Sequence, residues 1–303
     1  MSRRTPRFLT VESPFPQAHS RLRFLEPPGT CTNALWERIF AGNYGKPFIV
    51  DSPRRRYLHF DLDAVQSAMD LLQPERLCLA YTRKMMAFLL FNRLPKRVLL
   101  LGLGGGSLAK FCYRHLPQSA ITAIEKSTDV LELREEFCVP CDDQRFRVIR
   151  ADAAEYVTQL SSCKDVILAD ACDHAGIAPQ MNTRAFYSDA FRCLAPGGVF
   201  VANLCGDRPS RDAHFLRIRQ VFGEQWLALP VHPDGNLIVL GFKDVAAPAA
   251  LEQLVQAASD LKRAVGLDFP NYVRRIMRER QRRITQHACT VEGEVPLAVP
   301  PRS

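Results

Sequence analysis

Four short stretches carry residue types and spacings that can do chemistry. Gly102-Leu103-Gly104-Gly105-Gly106-Ser107 follows a short apolar run and precedes a helical pattern. Glycine lets the backbone turn sharply and lets a ligand approach the main chain, and the helix behind the turn offers free N–H groups. A dinucleotide-binding turn has the spacing G-x-G-x-x-G. Here the sixth position is Ser107 and the spacing is G-x-G-x-G, which favours a mononucleoside such as S-adenosylmethionine over a turn of packing glycines. Glu125 follows about twenty residues later, where an acid accepts hydrogen bonds from ribose hydroxyls; without the glycines it would read as a solvated strand end. Asp152 has two readings that can both hold. It can accept from an adenine amino group, and with Glu155 it resembles a capping box. Asp170-Ala171-Cys172-Asp173 places two carboxylates in a loop after an apolar run. One can anchor an ammonium while the other takes its proton. An alkylamine has a pKa of about 10 and is almost wholly protonated at neutral pH, so a proton acceptor is needed. A free Asp, at about 3.9, is a weak base unless burial or a neighbouring carboxylate raises it. The alternative for this loop is a helix cap.

The elements that must position these residues are legible in the pattern. RVLLLG (97–102), AITAIE (120–125), FRVIR (146–150), DVILAD (165–170) and GVFVANL (198–204) read as strands, with helical stretches between them. Such alternation implies a parallel sheet with helices on both faces. WLALPV (226–231) and LIVLGF (237–242) flank His-Pro-Asp-Gly-Asn, a hairpin signal. A doubly wound sheet ending in an antiparallel hairpin is the class I S-adenosylmethionine-methyltransferase-like, Rossmann-like α/β arrangement. Ahead of it, residues 46–60 read as two strands around Asp51-Ser52-Pro53, and residues 62–93 as helical, from Val65, Met69 and Leu72 onward. The organisation expected is a disordered arm (1–30), a small N-terminal β-hairpin and helical lobe (31–95), the nucleoside-binding domain (96–245), C-terminal helices (246–285) and a flexible tail (286–303).

Composition narrows the classes. The 303 residues are 47% hydrophobic and 24% charged, as in an ordinary globular protein. No apolar run approaches about 18 residues, so no membrane span is expected. The basic N-terminus lacks an apolar segment behind it, which reads against a secretory signal. With ten scattered cysteines and no export signal, the reading is a reducing cytoplasm and no disulfide framework. The net charge of +8 gathers partly in Arg54-Arg55-Arg56 and in 274–283. Without aromatic interleaving or a recognition motif, these runs read as solvated faces, not as a nucleic-acid surface. Cys138-Val139-Pro140-Cys141 matches C-x-x-C but lacks further zinc ligands nearby, and the seven histidines show no paired spacing, so no metal is expected.

Taken together, the stretch from about 46 to 243 resembles the spermidine/spermine synthase (aminopropyltransferase) family. The likeness is carried by VLLLGLGGGSLAK (98–110), ITAIEKS (121–127), FRVIRADAAEY (146–156), DVILADACDHAG (165–176), TRAFYSDAFRCLAPGGVFVANL (183–204) and the final hairpin. The resemblance implies that decarboxylated S-adenosylmethionine lies over Gly102, Gly104, Gly105 and Gly106, with its ribose on Glu125, its adenine near Asp152 and Ala153, and Gln66 in contact. It implies Asp170 as general base with Tyr81 assisting, and Asp173 and Tyr187 at a small-molecule amine substrate. The amine would attack the methylene beside the sulfonium and release methylthioadenosine. The N-terminal hairpin, by the resemblance alone, implies a homodimer.

The chain also departs from the family pattern. Gly105 stands where the family carries an Asp in G-G-G-D-G, Thr82 where it has His or Gln, and Arg83 where it has Glu. The motif D-[ST]-[ST]-D-P is Asp170-Ala171-Cys172-Asp173-His174 here. A buried ammonium without a partner carboxylate costs several kcal/mol. Two alternatives therefore stand beside aminopropyl transfer: methyl transfer from intact S-adenosylmethionine, and a non-catalytic fold relative that binds a ligand or partner.

Overall fold

In the computed structural model the described residues are 8–13, 20–173, 176–232, 235–244 and 251–292. Alternating apolar and charged residues build the first sheet. In Arg21–Phe24, Leu22 and Phe24 turn inward while the two arginines do not. Strands β1 (Leu9–Glu12), β2 (Arg21–Phe24), β3 (Phe48–Asp51), β4 (Arg55–His59) and β5 (Val65–Asp70) form an antiparallel meander in that order. Helix α1 (Thr32–Phe40) lies between β2 and β3 in the chain and packs Leu35 and Ile39 with Leu22, Phe24, Tyr44 and Phe48.

Two expectations fail here. The stretch 1–30 is not an arm throughout, because Leu9–Glu12 and Arg21–Phe24 are paired strands. Their Pro- and Arg-rich surroundings hid an alternation only four residues long. Residues 65–70 are a strand, not the start of a helix: two of the three apolar residues in the presumed stripe, Val65 and Leu72, are 43% and 78% exposed. The free edge of β4 supplies backbone partners that outweigh the local periodicity.

After α2 (Ala80–Met85) and a 3₁₀ turn (Met86–Leu90), the second sheet begins with β6 (Arg97–Leu101). There follow α3 (Ser107–His115), β7 (Ala120–Glu125), α4 (Thr128–Glu132), β8 (Phe146–Arg150), α5 (Ala153–Thr158) and β9 (Lys164–Ala169). A two-residue pair, β10 (Cys172–Asp173) and β11 (Gly176–Ile177), leads to a 3₁₀ turn (Pro179–Met181), α6 (Arg184–Cys193), β12 (Leu194–Leu204), α7 (Arg208–Phe222), β13 (Trp226–Pro230) and β14 (Leu237–Phe242). The strand order is β13-β14-β12-β9-β6-β7-β8. Pairs from β12 to β8 are parallel, and β14 pairs antiparallel with both β12 and β13. This is the Rossmann-like sheet with a closing hairpin that the strand–helix alternation predicts.

The central strands are apolar through their middles, as in Val98–Leu101, Val166–Ala169 and Val199–Ala202, because helices cover both faces. Leu99, Leu101, Ile167 and Phe200 pack with Val157, Phe186, Ala190, Ile218 and Phe222 from α5, α6 and α7. On the sheet, α2 touches β12 and β14, and α3 touches β7. Each crossover returns the chain so that the carboxyl ends of the parallel strands β12, β9, β6, β7 and β8 face the same edge.

Residues 1–249 form one unit and 250–303 another. The second contains α8 (Leu251–Val265) and α9 (Phe269–Glu292), which pack on each other. Helix α9 extends into the expected tail; residues 293–303 lie outside the described residues. No helix among the described residues is long and apolar enough to cross a membrane. Cys205 is disulfide-bonded, while Cys31, Cys78, Cys112, Cys138, Cys141, Cys163 and Cys193 are free.

Candidate active site

The site assembles where the parallel strands end, the place that open α/β sheets reserve for ligands. After β6, Gly102, Gly104 and Gly106 take φ values of 97°, 51° and 67°, a left-handed region that strongly favours glycine. A Cβ on Gly102 would collide with the Asp170 carbonyl, so this glycine also permits the close approach of two strand ends. The turn is braced from below: the Gly102 N–H donates to the Ile124 carbonyl at 2.9 Å and the Asp170 N–H to the Leu101 carbonyl at 2.9 Å.

Glu125 ends β7 and ties the turn to the next loop. Its carboxylate accepts from the Leu103 N–H at 3.0 Å and from the Ser127 N–H at 2.9 Å. Asp152 performs the capping that its spacing predicts, accepting from the Ala154 and Glu155 N–H groups at 2.8 and 3.3 Å. It also lines the cleft, so its two readings are compatible.

The cleft holds about 680 Å³ of empty space, its open mouth included. Gly102, Gly104, Gln66, Glu125, Asp152, Ala153 and Asp170 all line it. Sequence reasoning did not mark Phe60, Ser127, Val130, Gln180 and Met181, which complete the wall. They arrive from separate places in the chain: loops for Phe60 and Ser127, helix α4 for Val130 and the 3₁₀ turn for Gln180 and Met181. An inner compartment of about 360 Å³ continues from it and shares Gln66, Gly102, Gly104 and Asp170. Its further lining includes Ser67, Tyr81, Ser107 and Leu108.

Asp170 stands at the junction of the two compartments. Burial pushes its carboxyl up to about 6, while hydrogen bonds from Asn203 and Tyr81 pull it back. Asn203 Nδ2 donates to Asp170 Oδ1 at 2.9 Å. The Tyr81 hydroxyl, which donates to the Gln66 carbonyl at 3.4 Å, lies beside the same carboxylate, and burial beside that charge raises its pKa well above the ordinary value. A carboxyl near neutrality and a phenol held protonated form an acceptor and a donor on one spot.

The remaining expected residues fall elsewhere. Gly105 and Gly106 line neither compartment; they back the turn against Ser67, Phe137 and Val139. Tyr187 does not reach the cleft. It is 2% exposed, and its hydroxyl hydrogen-bonds His214 Nδ1 at 2.6 Å. An aromatic residue inside an apolar helical pattern was drawn into the core. The Asp173 backbone pairs with Gly176, but its side chain lies outside the described residues. Thr82 and Arg83 do not enter either compartment: Thr82 Oγ1 donates to the Leu79 carbonyl at 2.8 Å, and Arg83 donates to the carbonyls of Leu77 and Cys78 at 3.0 and 2.6 Å. The cation at 83 therefore seals a loop and does not face an amine path. Among the described residues, no cluster of His, Cys, Asp or Glu has the arrangement of a metal site.

Comparison with known proteins places this geometry in a family. A family model described as the spermine/spermidine synthase domain matches residues 78–210. The chain is 35% identical over 227 residues to a polyamine aminopropyltransferase of Chromobacterium violaceum, covering 75% of this chain and 87% of that protein. It is 35% identical over 216 residues to the enzyme of the same name from Neisseria meningitidis, covering 71% and 82%. Among solved structures, a probable spermidine synthase from Corynebacterium glutamicum superposes with a TM-score of 0.58 at 22% identity, covering 70% of this chain and 84% of that one. Human methyltransferase-like protein 13 in complex with SAH gives 0.57 at 25% identity, covering 62% and 93%. With its sheet order, its glycine turn and the buried carboxylate just after β9 already pointing the same way, the chain belongs to the spermine/spermidine synthase family.

Proposed function

We propose that this protein transfers the aminopropyl group of decarboxylated S-adenosylmethionine to a small amine. The observation that carries this reading is the position of Asp170, where a nucleoside-sized cleft meets an inner compartment lined by Tyr81 and Gln66. The glycine turn and Glu125 suit the nucleoside, with ribose hydroxyls on the lone pairs that Leu103 and Ser127 leave open. Ala153 and Asp152 suit the adenine. Asp173 would hold the amine.

The chemistry asks little covalent work of the protein. The amine nitrogen forms a bond to the methylene beside the sulfonium. The carbon–sulfur bond breaks with its electrons going to sulfur, which leaves as neutral methylthioadenosine. Asp170 takes the ammonium proton. A free Asp lies about 6 pKa units below an alkylammonium. Raising the carboxyl to about 6 narrows that gap to about 4 units. The rest is alignment and exclusion of water. The cytoplasmic location and the homodimer implied by the resemblance belong to this reading.

One observation favours methyl transfer as the second reading. Among the described residues, Asp170 is the only carboxylate lining the inner compartment, whose other polar groups are neutral. A tail carrying its own carboxylate meets less repulsion there than in an acidic pocket.

The test is a transfer assay with decarboxylated S-adenosylmethionine and a panel of diamines, reading methylthioadenosine release. Thermal unfolding with methylthioadenosine, decarboxylated S-adenosylmethionine and S-adenosylhomocysteine runs beside it. A ligand at about 100 times its Kd stabilises by about 2.7 kcal/mol. Stabilisation by the first two with turnover is the expected result. Stabilisation by the last alone supports methyl transfer, and response to none supports a non-catalytic binding protein.

A further inference from the structure

We infer that Asn203 is a positioning residue for Asp170, and that Asn236 fixes which end of the Asn203 amide faces it. This rests on Asp170 being the proton acceptor of the reaction proposed above. The arrangement begins in the sheet. Strands β12 and β9 run parallel with Ala202 opposite Ala169, so Asn203 and Asp170 emerge side by side, each one residue beyond that pair. Asn203 is the polar member of an otherwise apolar strand end and is only 4% exposed. Its Nδ2 donates to Asp170 Oδ1 at 2.9 Å, and its Oδ1 accepts from Asn236 Nδ2 at 3.0 Å.

The chemistry gives this chain one direction. An ionised carboxylate only accepts, so Asn203 must turn its NH₂ toward Asp170. Its carbonyl then faces Asn236, which must donate in turn. Reversing Asn203 would set a carbonyl oxygen against a carboxylate oxygen and leave the Asn236 NH₂ without its acceptor. Asn236 sits in the segment joining β13 to β14, where its carbonyl accepts from the Val231 N–H at 2.8 Å. The closing hairpin therefore holds the amide that holds the base.

Two consequences follow for the base. One lone pair of Oδ1 is occupied, which fixes the carboxylate plane and leaves the remaining lone pairs to take the proton. The donated N–H also favours the charged form, against the burial that disfavours it. The other groups facing this carboxylate are the Tyr81 hydroxyl from α2 and, around the shared cleft, Glu125, Lys126 and Asp152 at the ends of β7 and β8. None of them replaces a donor lost from the β12 side.

The experiment is the pH dependence of kcat in the transfer assay for the wild type, Asn203→Leu and Asn236→Ala, with methylthioadenosine affinity measured beside it. Asn203→Leu is expected to move the acid limb up by about one pH unit. Asn236→Ala should move it less in the same direction, and nucleoside affinity should be unchanged in both. An unmoved limb with kcat lowered equally at every pH would overturn the proposal. If the wild type shows no transfer, the reaction assignment falls, but the positioning role is still decided by ¹³C titration of the Asp170 carboxyl, identified by its loss in Asp170→Asn. A higher midpoint in the variants supports the role, and an unchanged midpoint refutes it. Should Asn203→Leu fail to fold, the half-buried Asn236→Ala carries both measurements.

Discussion

A Cβ at Gly105 would stand 2.6 Å from Ser67 Oγ, so a side chain at position 105 and the Ser67 hydroxyl exclude each other. Ser67 is buried, and its hydroxyl lies 3.1 Å from that of Ser107. The missing acid of the glycine turn is therefore not an isolated replacement. A hydroxyl from β5 has taken up the space, and Phe137 closes it from the other side.

This pairing predicts the response to restoring the acid. Gly105→Asp alone should destabilise the protein by about 1–3 kcal/mol, because the site is already filled. Adding Ser67→Gly should recover most of that loss. Urea unfolding of the single and double variants checks it; equal stability of the two would show that Ser67 is not the obstacle.

Glu125 braces the glycine turn through the main chain as well as facing the cleft. Glu125→Gln can accept only one of the two N–H donors well and turns an NH₂ toward the other. The expected outcome is a stability loss of about 1–3 kcal/mol and methylthioadenosine affinity weakened at least tenfold, measured by calorimetry. Unchanged affinity would remove this residue from the nucleoside site.

Asp170 links activity and stability to pH. Its carboxyl is raised by burial from 3.8 to about 6, so the folded chain holds this proton more tightly than the unfolded one. The contribution is complete below about pH 4 and is lost as pH rises through about 6. Asp170→Asn should therefore raise stability on the order of 3 kcal/mol at pH 8 and change it little at pH 4. The same variant should abolish transfer while retaining nucleoside affinity. Wild-type turnover should fall as pH drops through about 6. Paired unfolding and rate profiles test both parts.

Tyr187 and His214 form a buried pair that lines neither compartment of the cleft. His214 Nε2 has no hydrogen-bond partner among the described residues, and burial pushes the imidazole down to about 4. Tyr187→Phe removes the partner of Nδ1 as well and should cost about 1–3 kcal/mol. KM for the amine should not change. A raised KM with unchanged stability would return Tyr187 to the substrate site.

The legible parts of this protein were those with short-range causes. A continuous apolar run followed by glycines announced β6 and its turn. The spacing of Asp152 and Glu155 announced a cap, and the Pro-Asp-Gly between two apolar runs announced the closing hairpin. The errors came where a distant partner decided. Val65, Met69 and Leu72 have helical spacing, yet the edge of β4 made a strand of 65–70. Leu9–Glu12 has too few residues to signal itself and exists because β2 pairs with it.

The sequence by itself determined the doubly wound sheet, the glycine turn and the carboxylates at the strand ends, because each follows from neighbours a few residues away. Only the tertiary structure decided what those carboxylates can do. The basicity of Asp170 comes from burial opposed by donors 89 and 33 residues away in the chain, Tyr81 and Asn203. The vacancy of position 105 comes from a serine 38 residues earlier. Desolvation and steric exclusion act through space, and no spacing along the chain encodes them.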